Sequence, residues 1–319
     1  MGFGAQASYD CRVALNVRPV VPSRLFSHES KRSPKTIVGG YIALTKPRII
    51  ELLLVTTVPT MVLAAGKWPA WSLIAITLIG GTLAAGGANT INMYIDRDID
   101  KLMKRTQNRP LVTGLIAPKN ALVFAVILEV VAFAVLWAGA NLLSACLALS
   151  ATAFYVFIYS LWLKRTSKQN IVIGGAAGAM PTLIGWAAVT NSVGWPAVWL
   201  FIIMFLWTPP HFWALAIRHA DEYRAANVPM LPVVVSIERT VRTMFLYTVI
   251  LAAATLVLMP VANLGWIYGG TAIVVGLGFS VGTAMLGRRP TEAWSMKVFS
   301  FSITYVTVLF GALMVDVLL

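Results

Sequence analysis

Nine stretches of about 20 apolar residues recur along this chain, at roughly 47–65, 71–94, 120–138, 141–162, 170–189, 196–217, 241–261, 265–286 and 294–317. A helix of that length crosses about 30 Å of hydrocarbon. The lipid interior admits only segments that satisfy their own backbone hydrogen bonds. The pattern therefore predicts an all-α polytopic membrane protein, a bundle of about nine transmembrane helices. Composition agrees, because a chain 58% hydrophobic and only 12% charged cannot coat a soluble domain of 319 residues. The two cysteines, Cys11 and Cys146, suit neither a disulfide framework nor a thiolate metal site.

Of the 25 lysines and arginines, 24 fall on one side of these spans. The region through Arg48 holds eight, and the segments after spans 2, 4, 6 and 8 hold sixteen. The segments after spans 1, 3, 5 and 7 hold only Lys67. By the positive-inside rule the N-terminus and the even-numbered loops are cytoplasmic, and the C-terminus lies outside. The net charge of +13 is thus a topology signal. Its scatter over five segments is not the contiguous basic surface of a nucleic-acid binder.

Residues 1–40 read as a flexible basic cytoplasmic tail ahead of a transmembrane domain over 41–319. Arg12, Arg18, Arg24, Lys31, Arg32 and Lys35 outnumber Asp10 and Glu29, and no continuous apolar core suggests a secretory signal. A bacterial plasma membrane is the expected location. The alternative is the mitochondrial inner membrane, since transit peptides are also Arg-rich and acid-poor.

Polar chemistry gathers at the cytoplasmic ends. "NMYIDRDIDKLMKRTQNRPL", 92–111, packs five basic residues and three aspartates directly after an apolar run. If span 2 keeps its helical period, Asn89, Asn92, Asp96 and Asp100 project from one face within about 80° of arc. Hard oxygen ligands grouped this way suit Mg²⁺, which takes one or two carboxylates plus substrate phosphates. Arg105 and Arg109 follow within two turns, with forks that match phosphate oxygens. A second cluster, "TPPHFWALAIRHADEYRAANVPMLPVV", 208–234, holds His211 and His219, two of the three histidines. On a continuous helix His211, Arg218 and Glu222 share a face, with Asp221 and Arg224 beside them. Pro209 and Pro210 should kink span 6 just before His211. A third stretch, "YSLWLKRTSKQNIVIGGAAGAMPTLIGW", 159–186, brings Lys164 and Arg165, as a cationic rim or as topology anchors, and Asn170 where span 5 begins. Its glycines read as helix-packing positions.

With these motifs the chain resembles the UbiA superfamily of intramembrane prenyltransferases, and within it the branch that modifies haem, over about residues 40–319. Asn92, Asp96 and Asp100 stand as its NxxxDxxxD motif. Quinone-type relatives carry a second DxxxD where His219 and Tyr223 stand here. Asn227 occupies a position usually held by glycine, which an asparagine's backbone tolerates. The resemblance implies a UbiA-type helical bundle that transfers the farnesyl group of farnesyl diphosphate to the 2-vinyl group of haem B. Water addition would give haem O and diphosphate. It implies Mg²⁺ held by Asn92, Asp96, Asp100 and Asp221, with Asn89, Asn92, Arg105, Arg109, Lys164 and Arg165 around the diphosphate. His211 and His219 would meet the haem as axial ligand or proton acceptor, within a polar cluster completed by Arg218, Asp221, Glu222 and Arg224. Haem A synthase is implied as a partner by the pathway alone.

Three rivals are weaker. A quinone-precursor or chlorophyllide prenyltransferase should carry the second aspartate pair. A CDP-alcohol phosphotransferase should show Asp-Gly and Ala-Arg elements upstream of its aspartates. A transporter needs polar residues along a mid-membrane path, and only Glu129, with Glu51 nearer the cytoplasm, is of that kind.

Overall fold

The computed structural model describes residues 34–319, without the side chains of 34, 35 and 48–54. Residues 1–33 of the expected tail, Cys11 and the Glu51 side chain lie outside the described residues. Among the described residues every regular element is helical. The helices are α1 (Pro34–Thr45), α2 (Pro47–Ala65), α3 (Trp71–Ile95), α4 (Arg97–Leu102), α5 (Pro118–Gly139) and α6 (Leu142–Ala153). A π-helical segment, Phe154–Leu163, runs from α6 into α7 (Lys164–Thr166). Then come α8 (Asn170–Thr190), α9 (Trp195–Arg218), α10 (Ala220–Ala225), α11 (Leu231–Val234), α12 (Ile237–Ala262), α13 (Trp266–Arg288) and α14 (Glu292–Leu318).

The nine expected spans correspond to α2, α3, α5, α6 through α7, α8, α9, α12, α13 and α14. Eight helices among the described residues are long and apolar enough to cross a membrane, and Val55–Ala65 within α2 is a shorter apolar stretch. Local chemistry sets the ends. Pro47 and Pro118 open α2 and α5, where a missing N–H costs nothing. Asn141 caps α6 by accepting from Ser144 N at 2.8 Å. Asn191 and Asn263 close α8 and α12 in the left-handed conformation, φ 50° and 52°. Helix α9 passes through Pro209 and Pro210 as one element.

The boundary expected at residue 40 falls inside α1, where Gly40 is already buried. Ile37, Tyr41 and Leu44 pack with Met93, Leu111 and Ile116. The paired glycines of "IVGGYIALT" dilute the apolar signal that would have marked this helix. Two lobes result. One packs Ala84, Ala132, Leu136 and Ala148 between α3, α5, α6 and α8. The other fills the space between α9, α12, α13 and α14, with Trp213, Tyr268, Phe279 and Phe310 in its core. Helix α2 touches α3, α8 and α14, and so joins the lobes. Trp71, Trp137, Trp195 and Trp266 stand exposed at the ends opposite the charged loops, as an interfacial aromatic belt does. Mid-bundle, Glu129 accepts from Thr152 Oγ1 at 3.1 Å beside Gly87, where a Cβ would lie 2.5 Å from its Oε1. It is a paired interhelix carboxylate and not part of a polar path.

Candidate active site

Helix α3 ends at Asp96, and α4 begins at the next residue, so the stripe continues almost unbroken. The Asp100 N–H donates to Asp96 O at 2.8 Å. Asn92, Asp96 and Asp100 are all buried. Asn92 Nδ2 donates to Asp96 Oδ2 at 2.9 Å and to Ser160 Oγ at 3.0 Å. Lys164 Nζ pairs with Asp96 Oδ2. One guanidinium nitrogen of Arg109, Nη1, donates to both oxygens of Asp100, at 2.8 and 2.7 Å. Asp96 Oδ1 is buried with no partner among the described residues.

A third cation, invisible to motif reading, completes the group. Lys46 stands between α1 and α2 at φ 53°, a left-handed backbone that is uncommon for a lysine. Pro47 pushes it out of the helical region, and Asn89 Nδ2 holds the preceding carbonyl, Thr45 O, at 3.0 Å. The turn delivers Lys46 Nζ to Asn92 Oδ1 at 2.8 Å. Burial, helped by the Arg109 and Lys164 charges, pushes its ammonium down to about 7. Three basic side chains therefore surround two buried carboxylates, and an anionic ligand would hold Lys46 in its charged form. Asn89 serves this turn through Thr45.

The π-helical segment explains how α6 and α7 reach the stripe. Ser160 Oγ donates to Tyr155 O, five residues back, at 2.9 Å. The wider turn brings Ser160 and Lys164 together against α3, and π-turns are rare and frequent at functional sites. Tyr155 and Tyr159 stack at 5.3 Å beneath them. Asn170, on the first turn of α8, is fully buried, and neither its Oδ1 nor its Nδ2 has a partner among the described residues.

Other expected residues divide. Arg165 is exposed and forks onto Asp98 at 2.7 Å while donating to Ile95 O at 3.0 Å, so it clamps the α3–α4 junction. That fork holds the Asp98 carboxyl far below the usual range. Arg105 links the two loops: its N–H donates to Glu222 Oε2 at 3.2 Å, and its guanidinium donates to Tyr223 Oη at 3.3 Å. Glu222 Oε1 also meets His219 Nδ1 at 3.3 Å. The single helical face expected for His211, Arg218 and Glu222 does not form, because α9 breaks at His219 (φ −107°, ψ 22°) and α10 starts a new axis. Arg218 is exposed, and His211 is buried two turns deeper. Asp221 stands apart from Asp96 and Asp100 as well, exposed and paired with Arg224 at 2.5 Å. Among the described residues no three His, Cys, Asp or Glu side chains gather as a metal-binding group.

The UbiA prenyltransferase family model matches residues 53–306, most of the chain. The chain belongs to the UbiA prenyltransferase family. A protoheme IX farnesyltransferase of Parafrankia sp. (strain EAN1pec) is 52% identical over 283 residues, 88% of this chain and 90% of the relative. One from Clavibacter sepedonicus is 52% identical over 285 residues, 88% and 92%. Solved UbiA-type structures share the fold at low identity. A digeranylgeranylglyceryl phosphate synthase matches at TM-score 0.73 and 16% identity, over 88% of this chain and 98% of its own. A UbiA homolog from Archaeoglobus fulgidus bound to GPP and Mg²⁺ matches at 0.58 and 16%, over 86% and 99%. Mg²⁺ fits the donor set of this UbiA chain: Asp96, Asp100 and Asn92 supply hard oxygens, and Asp96 Oδ1 is an orphan acceptor. Lys46, Lys164 and Arg109 hold the other oxygens of this set and would release them to the ion. Asn227 lies at φ 53°, the glycine-like backbone its position calls for.

Proposed function

We propose that this membrane protein transfers the farnesyl group of farnesyl diphosphate to the 2-vinyl group of protohaem IX, with addition of water, to give haem O for haem-copper oxidases. The observation that carries the diphosphate half is the buried Asp96–Asp100 pair ringed by Lys46, Arg109 and Lys164 at one end of an apolar bundle. Haem as acceptor is supported by the names of relatives that align over nearly their whole length, and by the downstream histidines.

Asn92, Asp96 and Asp100 would hold Mg²⁺, which when bound stabilises the diphosphate as a leaving group. Lys164 and Arg109, released from the carboxylates, would meet the phosphate oxygens as charge-assisted donors. Lys46 lies within the same group. The prenyl chain would lie among the apolar spans, where exclusion of water protects the allylic cation until the vinyl carbon attacks it. Arg105 and Arg165 act at the rim, one closing loop on loop and the other fixing α4. The proposed setting is a bacterial plasma membrane with the site cytoplasmic, and haem A synthase is the enzyme class that would take the product onward. Membranes carrying the chain, supplied with farnesyl diphosphate, haem B and Mg²⁺, should form haem O. Asp96→Ala and Asp100→Ala should abolish it. No product from well-folded wild-type protein would overturn the assignment.

A further inference from the structure

His211 lies on α9 with both ring faces covered. Trp207 stacks on it at 4.2 Å with 22° between planes, and Phe299 stacks at 4.6 Å with 28°. The ring therefore cannot lie flat on a porphyrin; Phe212 also meets it at 5.0 Å with 89° between planes, which leaves only the Nε2 side of its edge for a ligand. Its Nδ1 stands 2.6 Å from Ser302 Oγ on α14, and Ser302 Oγ donates to Phe299 O at 2.6 Å. The serine hydroxyl has one proton. If that proton goes to Phe299 O, the second bond needs its own, which must come from Nδ1–H of His211. The opposite arrangement would place the proton on Nε2, where no partner exists among the described residues, and would leave the Phe299 contact without a proton. The same residue also fixes the stacking partner, since Trp207 Nε1 donates to Ser302 O at 2.8 Å. Ser302 is fully buried, so water does not compete for these bonds.

We propose that Ser302 is a positioning residue for this reaction: its hydroxyl holds His211 as the Nδ1–H tautomer and thereby presents the Nε2 lone pair, edge-on, to the haem iron. This rests on haem being the acceptor substrate. A histidine that ligates a metal donates its other N–H to an oriented acceptor, which fixes the ring and raises its basicity. Here that acceptor is a serine on a neighbouring helix, so the α9–α14 packing is tied to the iron site.

The test uses the full-length protein in lipid nanodiscs, titrated with haem B and followed by Soret absorbance and by the iron–histidine stretch of the ferrous form. Wild type should show the stretch, and His211→Ala should lose it. Ser302→Thr and Ser302→Val have the same shape and differ only in the hydroxyl. The threonine should keep the wild-type band, while the valine should lower its frequency and weaken haem binding by about tenfold. Should both enlarged side chains prevent folding, Ser302→Ala adds no volume and is expected to behave as the valine. Identical bands in the hydroxyl and hydroxyl-free variants would overturn the role of Ser302 and leave the haem reading intact. A band that survives in His211→Ala would remove His211 as ligand. Absence of haem binding by folded wild type would overturn the haem reading itself, and this proposal with it.

Discussion

Asn170→Leu distinguishes an amide kept for a ligand from one kept for packing. Asn170 is fully buried on the first turn of α8, beside the loop that follows Lys164, and both its polar side-chain atoms lack partners. Each unpaired buried polar group costs about 1–3 kcal/mol. Leucine has the same branching at Cγ and no polar atom, and its slight excess volume costs less than about 1.5 kcal/mol. The ligand-free protein should therefore gain about 1–3 kcal/mol, or about 2–10 °C in Tm for a chain of this size. Turnover should move the other way, since one substrate hydrogen bond worth about 1.4 kcal/mol corresponds to tenfold in binding. The assay is thermal unfolding of purified protein with and without farnesyl diphosphate, beside haem O formation. A higher Tm, a smaller ligand-induced Tm shift and at least tenfold lower activity are expected. A lower Tm with unchanged activity would refute the reasoning, because the amide would then be part of the protein's own packing.

Asp100→Asn should abolish haem O formation and destabilise the fold by about 2 kcal/mol, because Arg109, itself part-buried, loses its carboxylate partner beside other basic side chains. Adding Arg109→Gln should restore Tm without restoring turnover, as thermal melts and product analysis would show. The Glu222 carboxyl is held below its ordinary 4.5; burial opposes this, but the Arg105 N–H and the His219 ring outweigh it. A depressed carboxylate adds stability above the unfolded value and loses it as pH falls through the folded one. The protection factor of the Arg105 amide, its exchange corrected for the intrinsic rate, should thus fall below about pH 4.5 in wild type and stay level in Glu222→Gln. Gly185→Ala places a Cβ 2.9 Å from the Thr57 backbone carbonyl, whereas Gly178→Ala meets nothing. Only the first should lower Tm, by about 1–3 kcal/mol of overpacking.

Much of this was legible in the sequence, because the membrane constrains it so strongly. The nine spans, the charge-rich face and the Asn92–Asp96–Asp100 stripe all follow from length, polarity and period. What escaped has specific causes. Lys46 sits in "TKPR", where its proximity to Asn92 depends on a left-handed turn that a single residue does not advertise. Ser160 reaches α3 only through a π-helical register, and "FYVFIYSLWL" carries no proline or glycine to announce one. Ser302 reads as an ordinary small residue in an apolar span until α14 is laid against α9. The shared face of His211 and Glu222 failed because a break at His219 resets the helical angle, and periodicity cannot see a break without Gly or Pro.

Unmet polarity, independent of any relative, marks the same end of the molecule. At the opposite end the carboxylate and amide side chains named next are satisfied, and the Trp186 indole is the exception. Asp316 accepts from the backbone N–H groups of Gly265, Ile267 and Tyr268 at 2.5, 3.1 and 3.1 Å, and Asn141 both caps α6 and donates to Ala187 O at 2.7 Å. At the charged end costs accumulate: an Asp96 carboxylate oxygen and an Asn170 amide with no partner among the described residues, a left-handed Lys46, and three basic side chains crowded on two buried carboxylates. The Trp186 and Trp213 indoles also lack partners, but each is a single neutral donor. Local strain and unmet polarity persist where the rest of the fold over-determines them. A divalent cation with a polyanion would relieve these electrostatic costs together, supplying a charge for Asp96 Oδ1 and oxygens for Lys46, Lys164 and Arg109. The site is thus built incomplete, and the stability it forgoes without ligand becomes affinity when the ligand arrives.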